Sequence, residues 1–122
     1  MSYYDKHAPT CTVDVLGTEY RIFMDVPESE DEVLKSCAGY CDKTSHRIAV
    51  AAQDADGNLD DDAAYRRQIL RHELIHAFLF ESGLGGDSVW HVSGQEHPEQ
   101  TVGWIARQFQ KMLKAFQQVG AL

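Results

Sequence analysis

The feature that most constrains this chain is the sequence His72-Glu73-Leu74-Ile75-His76, which lies in a run without glycine or proline from Ala63 to Glu81. Such a run predicts one continuous helix. Residues four apart share a helix face, with Cβ atoms roughly 5–6 Å apart, so His72 and His76 can direct ring nitrogens at one ion. This spacing suits zinc, which binds imidazole nitrogen at about 2.0–2.1 Å.

The residue after the first histidine is expected to act differently from a ligand. Glu73 is displaced about 100° around the helix from His72, which places its carboxylate beside the ion, where a general base belongs. Histidines four apart also occur on solvated helices, but two apolar stripes predict that this helix is buried on most sides, where unpartnered polar groups are costly. The stripes comprise Tyr65, Ile69 and Leu79 on one side and Leu70, Leu74, Ala77 and Phe78 on the other.

Length and charge bound the class of protein. With 122 residues, 43% of them hydrophobic, the chain predicts a single domain over residues 1–122, with 1–9 as a loose lead-in. A formal net charge of −8 argues against a nucleic-acid partner and favours a neutral or basic protein or peptide. No apolar run approaches the roughly 20 residues of a membrane span, and 1–10 lacks the apolar core of a signal peptide. We therefore expect a cytoplasmic protein without a membrane partner.

The first half of the chain predicts a small sheet. Alternation predicts strands at 11–16 and 20–25, joined by a turn at Gly17-Thr18. Ser29 and Glu32 form a capping-box pattern that predicts a short helix to about Cys37, ended by Gly39.

Residues 40–42 are then expected to turn the chain into a strand at 47–51. This strand is expected to lie along the edge of the site, where an extended peptide could pair with it. His46 at its start could reach the cleft, although a histidine in this place is more typically solvated.

The three cysteines, Cys11, Cys37 and Cys41, are an odd number in a chain without an export signal, which argues against a disulfide framework. The spacing Cys37-x3-Cys41 could bind metal, but without a second pair it is more typical of core or turn residues.

An acidic stretch over 54–62 partly matches a calcium loop, because Asp54, Asp56 and Asn58 occupy the first three ligand positions of an EF-hand. Leu59 replaces the required glycine, and Tyr65 replaces the closing glutamate. The stretch therefore favours a turn followed by Asp61 or Asp62 as the N-cap of the motif helix.

A last helix is predicted from about Pro98 to about Val119, with Val102, Ile105, Ala106, Phe109, Met112, Leu113 and Phe116 as its buried stripe. Glu99 extends this stripe by one turn, so we expect it to point inward as the third metal ligand. The alternatives are Glu96, His97 and His91, which precede the helix or lie in the loop before it.

The pattern His72-Glu73-x-x-His76, followed by Glu99 23 residues later, resembles the gluzincin-type zinc peptidases, particularly the small ImmA/IrrE-like proteins of bacteria and phages. The resemblance covers about residues 39–109, and the family's usual Glu-Ala-Asn is absent. It implies a compact α+β, zincin-like fold with a small curled sheet on the HExxH helix and a C-terminal helix. It further implies Zn2+ held by His72, His76 and Glu99, with Glu73 as base. SprT-like proteases share the first motif, but their third ligand is a histidine.

The implied activity is zinc-dependent hydrolysis of peptide bonds, with Glu73 accepting a proton from a water whose pKa the metal lowers. Tyr40, His91 and His97 are candidates to stabilise the oxyanion. The alternative function is a zinc-stabilised binding or regulatory module of a mobile element, without turnover. An open ligand position would distinguish the two functions, because structural zinc sites are closed by four protein ligands.

Overall fold

The computed structural model describes residues 1–52, 61–83 and 99–122. The protein has an α+β fold, with a four-stranded mixed sheet and two long helices, as predicted. The elements are α1 (Tyr3–Lys6), β1 (Cys11–Val15), β2 (Thr18–Val26), β3 (Gly39–Asp42), β4 (Arg47–Ala51), α2 (Asp62–Glu81) and α3 (Glu99–Gln118). Within the described ranges, no helix is both long and apolar enough to cross a bilayer.

The predicted hairpin of β1 and β2 is confirmed, with antiparallel register from Cys11 opposite Ile22 to Val15 opposite Thr18. Its turn places Leu16 and Gly17 in the left-handed region, at φ 51° and 95°. Left-handed turn residues match the twist of paired strands, which explains why the chain reverses there within two residues. The Gly17 amide also donates to Asp14 Oδ2 at 3.3 Å.

The strand predicted at 47–51 is confirmed, but its predicted pairing with an extended peptide at the edge of the site is wrong, because both of its sides are paired within the sheet. β4 lies inside the sheet, parallel to β2 and antiparallel to β3, in the order β1-β2-β4-β3. Its side chains explain this place, because Ile48 and Val50 point to one face while Ala49 and Ala51 point to the other, and all four are buried. A strand without a polar face is typical of the interior of a sheet.

The edge of the sheet belongs instead to residues 39–42, of which Gly39 was predicted as a helix stop and 40–42 as a turn. They form β3, with Gly39 opposite Val50 and Asp42 opposite Arg47. Gly39 allows this strand to pack directly on α2, since a Cβ there would lie 2.6 Å from Ile69 Cγ2 and 3.1 Å from the Ala49 carbonyl oxygen. The absence of a side chain, which suggested a helix stop in the sequence, is used here for a close contact between elements.

The two faces of the sheet carry two separate cores. One core packs α2 on the sheet, and its buried members are Val15, Tyr20, Ile22, Ile48, Val50 and Ala77. The other core lies under α1 and the segment before β3, and its buried members are Tyr4, Phe23, Val26, Leu34, Ala49 and Ala51. Alternation along β2 and β4 therefore supplies apolar side chains to both layers.

The N-terminal residues differ from the loose lead-in that was predicted. Tyr4 in α1 is only 6% exposed and packs edge-on against Phe23, with ring centroids 4.8 Å apart. Its hydroxyl donates to Asp31 Oδ2 at 2.5 Å, and the Tyr40 hydroxyl donates to the same oxygen at 2.6 Å. A buried aromatic ring and a charge-assisted hydrogen bond thus hold this segment on the sheet.

The predicted capping box at Ser29 is wrong. Two short 3-10 turns, Glu28–Glu30 and Glu32–Lys35, replace the expected helix, and Asp31 caps the second by accepting from the Val33 amide at 3.0 Å. Asp31 is also the acceptor for Tyr4 and Tyr40, so contacts distant in the sequence fix the cap at this residue.

The motif helix α2 is capped by Asp61, which accepts from the Ala64 amide at 3.0 Å, as predicted. Its expected burial on most sides is wrong: only Glu73, His76 and Ala77 are fully buried, whereas Tyr65 and Phe78 are 44% and 43% exposed. Within the described residues, the sheet covers one side of α2 and the N-terminal half of α3 covers another.

The last helix, α3, agrees with the predicted span, but its stripe is covered only in part. Val102 and Ala106 are buried, whereas Phe109 and Phe116 are 47% and 45% exposed. Arg71 connects α2 to the buried half of α3, because its Nε donates to the Ala106 carbonyl at 2.8 Å. Most of the acidic stretch tested as a calcium loop, residues 54–60 of 54–62, lies outside the described residues, as does Pro98.

Replacing Gly39 by alanine is expected to destabilise the protein by about 1–3 kcal/mol, because the new Cβ would overlap Ile69 and the Ala49 carbonyl. Urea unfolding measures the change. Gly103→Ala is the control, since its Cβ meets nothing closer than 3.5 Å and alanine favours a helix. Equal stability of Gly39→Ala and the wild type would contradict the close packing of β3 on α2.

The carboxylate of Asp31 is expected to make stability depend on acid pH. Burial raises the pKa of Asp31, but hydrogen bonds from Tyr4, Tyr40 and the Val33 amide outweigh it and lower that pKa below its ordinary value. A depressed folded-state pKa contributes stability above the unfolded-state pKa of about 4, and this is lost as pH falls through the folded-state value.

Asp31→Asn should therefore cost about 1–2 kcal/mol at pH 7, and the difference from wild type should shrink as pH falls below about 4. Unfolding curves across this range test it. Glu19→Gln, at an exposed position of β2, is the control and should show no such trend. A constant difference at every pH would show that Asp31 acts only through its shape.

Candidate metal centre

The two motif histidines lie together on one face of α2, with ring centroids 5.0 Å apart. Both direct Nε2 at the carboxylate of Glu99: His72 Nε2 is 2.8 Å from Oε2, and His76 Nε2 is 2.9 Å from Oε1. One carboxylate is thus shared by two imidazoles from a neighbouring helix. The structure therefore brings together the three residues that the sequence predicted as ligands.

The position of Glu99 follows from how α3 crosses α2. Glu99 is the first residue of α3, where a negative charge is favourable because of the helix dipole. Beyond it, α3 lies close to the motif: a Cβ on the buried Gly103 would be 3.9 Å from His72 Nδ1. The side chain of Glu99 is nevertheless 52% exposed, so the expectation that it points into the core is wrong. It reaches the histidines across the surface between the helices.

Glu73 lies on the other side of the histidines, between α2 and the sheet edge. It is 8% exposed, and a Cβ on Gly39 would be 3.7 Å from its Cγ. Its donor atoms and those of His72 and His76 all lie within 4.8 Å of one another. Burial, and then the negative charge of Glu99, raise the pKa of the Glu73 carboxyl to about 7. Glu73 therefore lies beside the two histidines. A cation bound nearby would offset the electrostatic repulsion between the carboxylates of Glu73 and Glu99.

The donor set fits zinc. Two imidazole nitrogens and one carboxylate oxygen are typical ligands of this ion, and in a tetrahedral site they would stand roughly 3.3–3.5 Å apart. The observed separations of 2.8 and 2.9 Å require only a small outward shift, which a half-exposed Glu99 side chain can make. Glu73 also has a donor within reach of both histidines, so the third carboxylate could come from either residue. We favour Glu99, because its oxygens contact both ring nitrogens directly.

A cleft of about 290 Å³ opens beside these groups. It is lined by Cys37, Ala38, Gly39, Tyr65, Gln68, Ile69, His72, Glu73 and Glu99. The role of residues 37–39 was not predicted, because their approach to α2 depends on strand pairing and not on a local pattern. Tyr65 and Ile69 do precede His72 by seven and three residues on the same helical stripe, which was the available signal.

Other residues proposed for the site lie elsewhere. The Tyr40 hydroxyl contacts Asp31 on the opposite face of the sheet, so it does not stabilise an oxyanion in the cleft. His46 faces Tyr20 and lies 3.9 Å from Glu81 Oε1, near the end of α2. The candidates His91, Glu96 and His97 lie outside the described residues.

The paired-cysteine spacing does not form a centre of its own. The Cys37 thiol lies at the cleft and donates to the Val33 carbonyl at 3.2 Å. Cys41 packs in the core between α2 and the sheet, where burial and then the charge of Glu73 raise its pKa to about 12. A thiol with a raised pKa is a poor metal ligand, because the thiolate is the form that binds.

Comparisons with known proteins identified no relative of this chain. No protein-family model matches the chain, and neither the curated proteins nor the solved structures gave a match.

The purified protein is expected to bind about one zinc ion per chain, and His72→Ala or His76→Ala should abolish binding because each removes a nitrogen donor. Elemental analysis and competition with a chromogenic chelator measure the stoichiometry and affinity. Glu99→Gln should weaken binding by about 10-fold or more. His46→Ala removes a histidine away from the cluster and is the matched control. Full zinc occupancy in both motif variants would contradict the site.

Proposed function

We propose that the protein is a zinc-dependent metallopeptidase that hydrolyses peptide bonds. The observation that carries this proposal is the convergence of two Nε2 atoms of α2 on the Glu99 carboxylate, with the buried Glu73 beside them. This set supplies three ligands for one ion and a further carboxylate that need not bind it. Three protein ligands and a base are the composition of a hydrolytic zinc site.

Each residue has a separate task in this proposal. His72, His76 and Glu99 would hold Zn2+, which when bound polarises a carbonyl and lowers the pKa of water. Glu73 would accept the proton of the attacking water and return it to the leaving amine. Glu73 is buried beside β3 and lines the cleft, which places its carboxylate where a substrate would bind.

The sheet edge favours an extended polypeptide as the substrate. Among the strands of the described residues, β3 lies at the end of the order and pairs on one side with β4, and its first residue, Gly39, lines the cleft. An exposed edge can bind an extended chain through main-chain hydrogen bonds, without a demand for particular side chains. The role that sequence analysis gave to the strand at 47–51 is therefore proposed for β3.

The zincin-like assignment and membership of the ImmA/IrrE-like peptidases remain part of the same proposal, supported by the motif and by the position of Glu99 at the start of the next helix. One observation favours a second function. Since Glu73 has a donor within 4.8 Å of those of the histidines, it could close the site as a fourth ligand. A closed site would make the zinc structural and the protein a binding or regulatory module.

Glu73→Gln separates these functions. Glutamine keeps the size of the side chain but cannot accept a proton, so peptide cleavage should fall by about 10² or more while zinc content stays at the wild-type level. Casein and a peptide library at neutral pH supply the substrates, and mass spectrometry reads the products. Chelated wild type gives the background.

Glu81→Gln is the matched control, because it changes the same residue type on the same helix, near His46 and away from the cluster. It should retain wild-type cleavage. Loss of zinc from Glu73→Gln would instead identify Glu73 as a ligand, and undiminished cleavage would place the base elsewhere.

A further inference from the structure

The metal cleft continues into a second, larger cleft. The second has a volume of about 490 Å³, and it shares Cys37, Ala38, Tyr65 and Ile69 with the first. The two clefts therefore form one groove, which runs between the N-terminal half of α2 and the segment before β3. We call the part that does not include His72, Glu73 and Glu99 the distal groove. Nothing in the proposed chemistry uses it.

The floor of the distal groove is apolar. Leu34 and Ala51 are 1% and 8% exposed and lie at its base, while Ile69 and the ring of Tyr65 form the side towards α2. Ala38 and Ala52 have small side chains, which leave the space open. Apolar surface of this kind gains free energy by contact with another apolar side chain.

The charged residues around the distal groove are largely neutralised within the chain. Arg66 pairs with Asp25 and, at 2.7 Å, with Asp62. Lys35 pairs with Glu32 at 2.8 Å. Both basic residues of this rim therefore already have carboxylate partners, which argues against an anionic ligand and leaves the apolar floor as the recognition surface.

Helix geometry gives the distance between the two parts of the groove. From His72 back to Arg66 is six residues, or about 9 Å along the axis of α2. An extended peptide advances about 3.3 Å per residue, so about three residues span that distance. A chain bound at the metal cleft would thus place a side chain over the distal groove about three positions from the bond that is cleaved.

We propose that the distal groove binds a large apolar side chain of an extended polypeptide substrate, about three residues from the scissile bond. The proposal rests on the proposed function and adds the substrate class: unfolded or extended segments with an apolar residue at that spacing, in contrast to dipeptides and tripeptides. The preference for a large apolar residue comes from its side chain filling the distal groove between Leu34 and Tyr65. The metal cleft itself recognises the peptide backbone.

The test fills the groove. Ala52→Phe places a ring in the distal groove, and Ala115→Phe makes the same change at an exposed position of α3 as the matched control. A proteome-derived peptide library is digested, and the residues around each cleavage site are counted. For wild type and Ala115→Phe we expect enrichment of Leu, Ile, Phe and Met about three residues from the cleaved bond. Ala52→Phe should lose this enrichment, and kcat/KM for enriched peptides should fall about 10-fold or more.

Two further measurements test whether Ala52→Phe changes only the distal groove. Zinc content, and cleavage of library peptides that lack an apolar residue at that spacing, should be unchanged in Ala52→Phe. If that variant does not fold, as judged by thermal unfolding, Ser36→Phe narrows the same groove from its exposed side. Unaltered enrichment in a folded, groove-filled variant, or no apolar preference in the wild type, would overturn the proposal.

A binding assay separates this proposal from the proposed function. The same library is passed over immobilised wild type and Ala52→Phe, and retained peptides are sequenced. If wild type cleaves nothing but retains apolar peptides that Ala52→Phe releases, the groove proposal stands as a binding site and the peptidase proposal fails. If cleavage occurs without groove-dependent retention or preference, the peptidase proposal stands and the groove proposal fails.

Discussion

The close approach of α2 to the sheet edge at Gly39 determines where the groups of the candidate metal centre lie. Only a residue without a side chain leaves room there for Ile69, and Glu73 follows one turn later against the same strand. The helix is therefore fixed with Glu73 towards the sheet and with His72 and His76 towards α3. A larger residue at position 39 would move the helix and would change the distance between the proposed base and the proposed ligands. The close packing of α2 on the sheet therefore determines the geometry of the candidate metal centre.

The position of Glu99 in the site depends on the contact between α2 and α3. Arg71 precedes His72 and donates to the Ala106 carbonyl, and the backbone of α3 at Gly103 lies near the His72 ring. These contacts set the position of α3 along α2, so that its first residue, Glu99, meets both imidazoles. The two histidines are brought together by the local geometry of one helix, whereas the Glu99 carboxylate reaches them only because two helices cross. Any metal affinity should therefore be more sensitive to changes in helix packing than the HExxH motif alone suggests.

This difference also explains which features were predictable. The predicted strands at 11–16, 20–25 and 47–51 and the predicted helices over 63–81 and from about Pro98 follow local periodicity, and they agree with the structure to within about two residues at each end. Residues 39–42 were missed, because four residues that contain glycine carry no strand period and become a strand only by pairing with β4. Tyr4 and Asp31 were missed for a similar reason, since their hydrogen bond joins residues 27 apart in the sequence. Local patterns therefore identified the chemical groups, while long-range packing decided which surface they share.

The two functions considered for this site differ in the role of one carboxylate. Glu99 and Glu73 flank the same pair of histidines, one half-exposed on the helix surface and the other buried against the sheet. Glu99 contacts both Nε2 atoms, so it needs little movement to serve as a ligand. Glu73 also has a donor within 4.8 Å of those of the histidines, so it could reach the ion as well. The choice between the two functions therefore depends on whether Glu73 would bind the ion or a water, and the direct contacts of Glu99 favour the second.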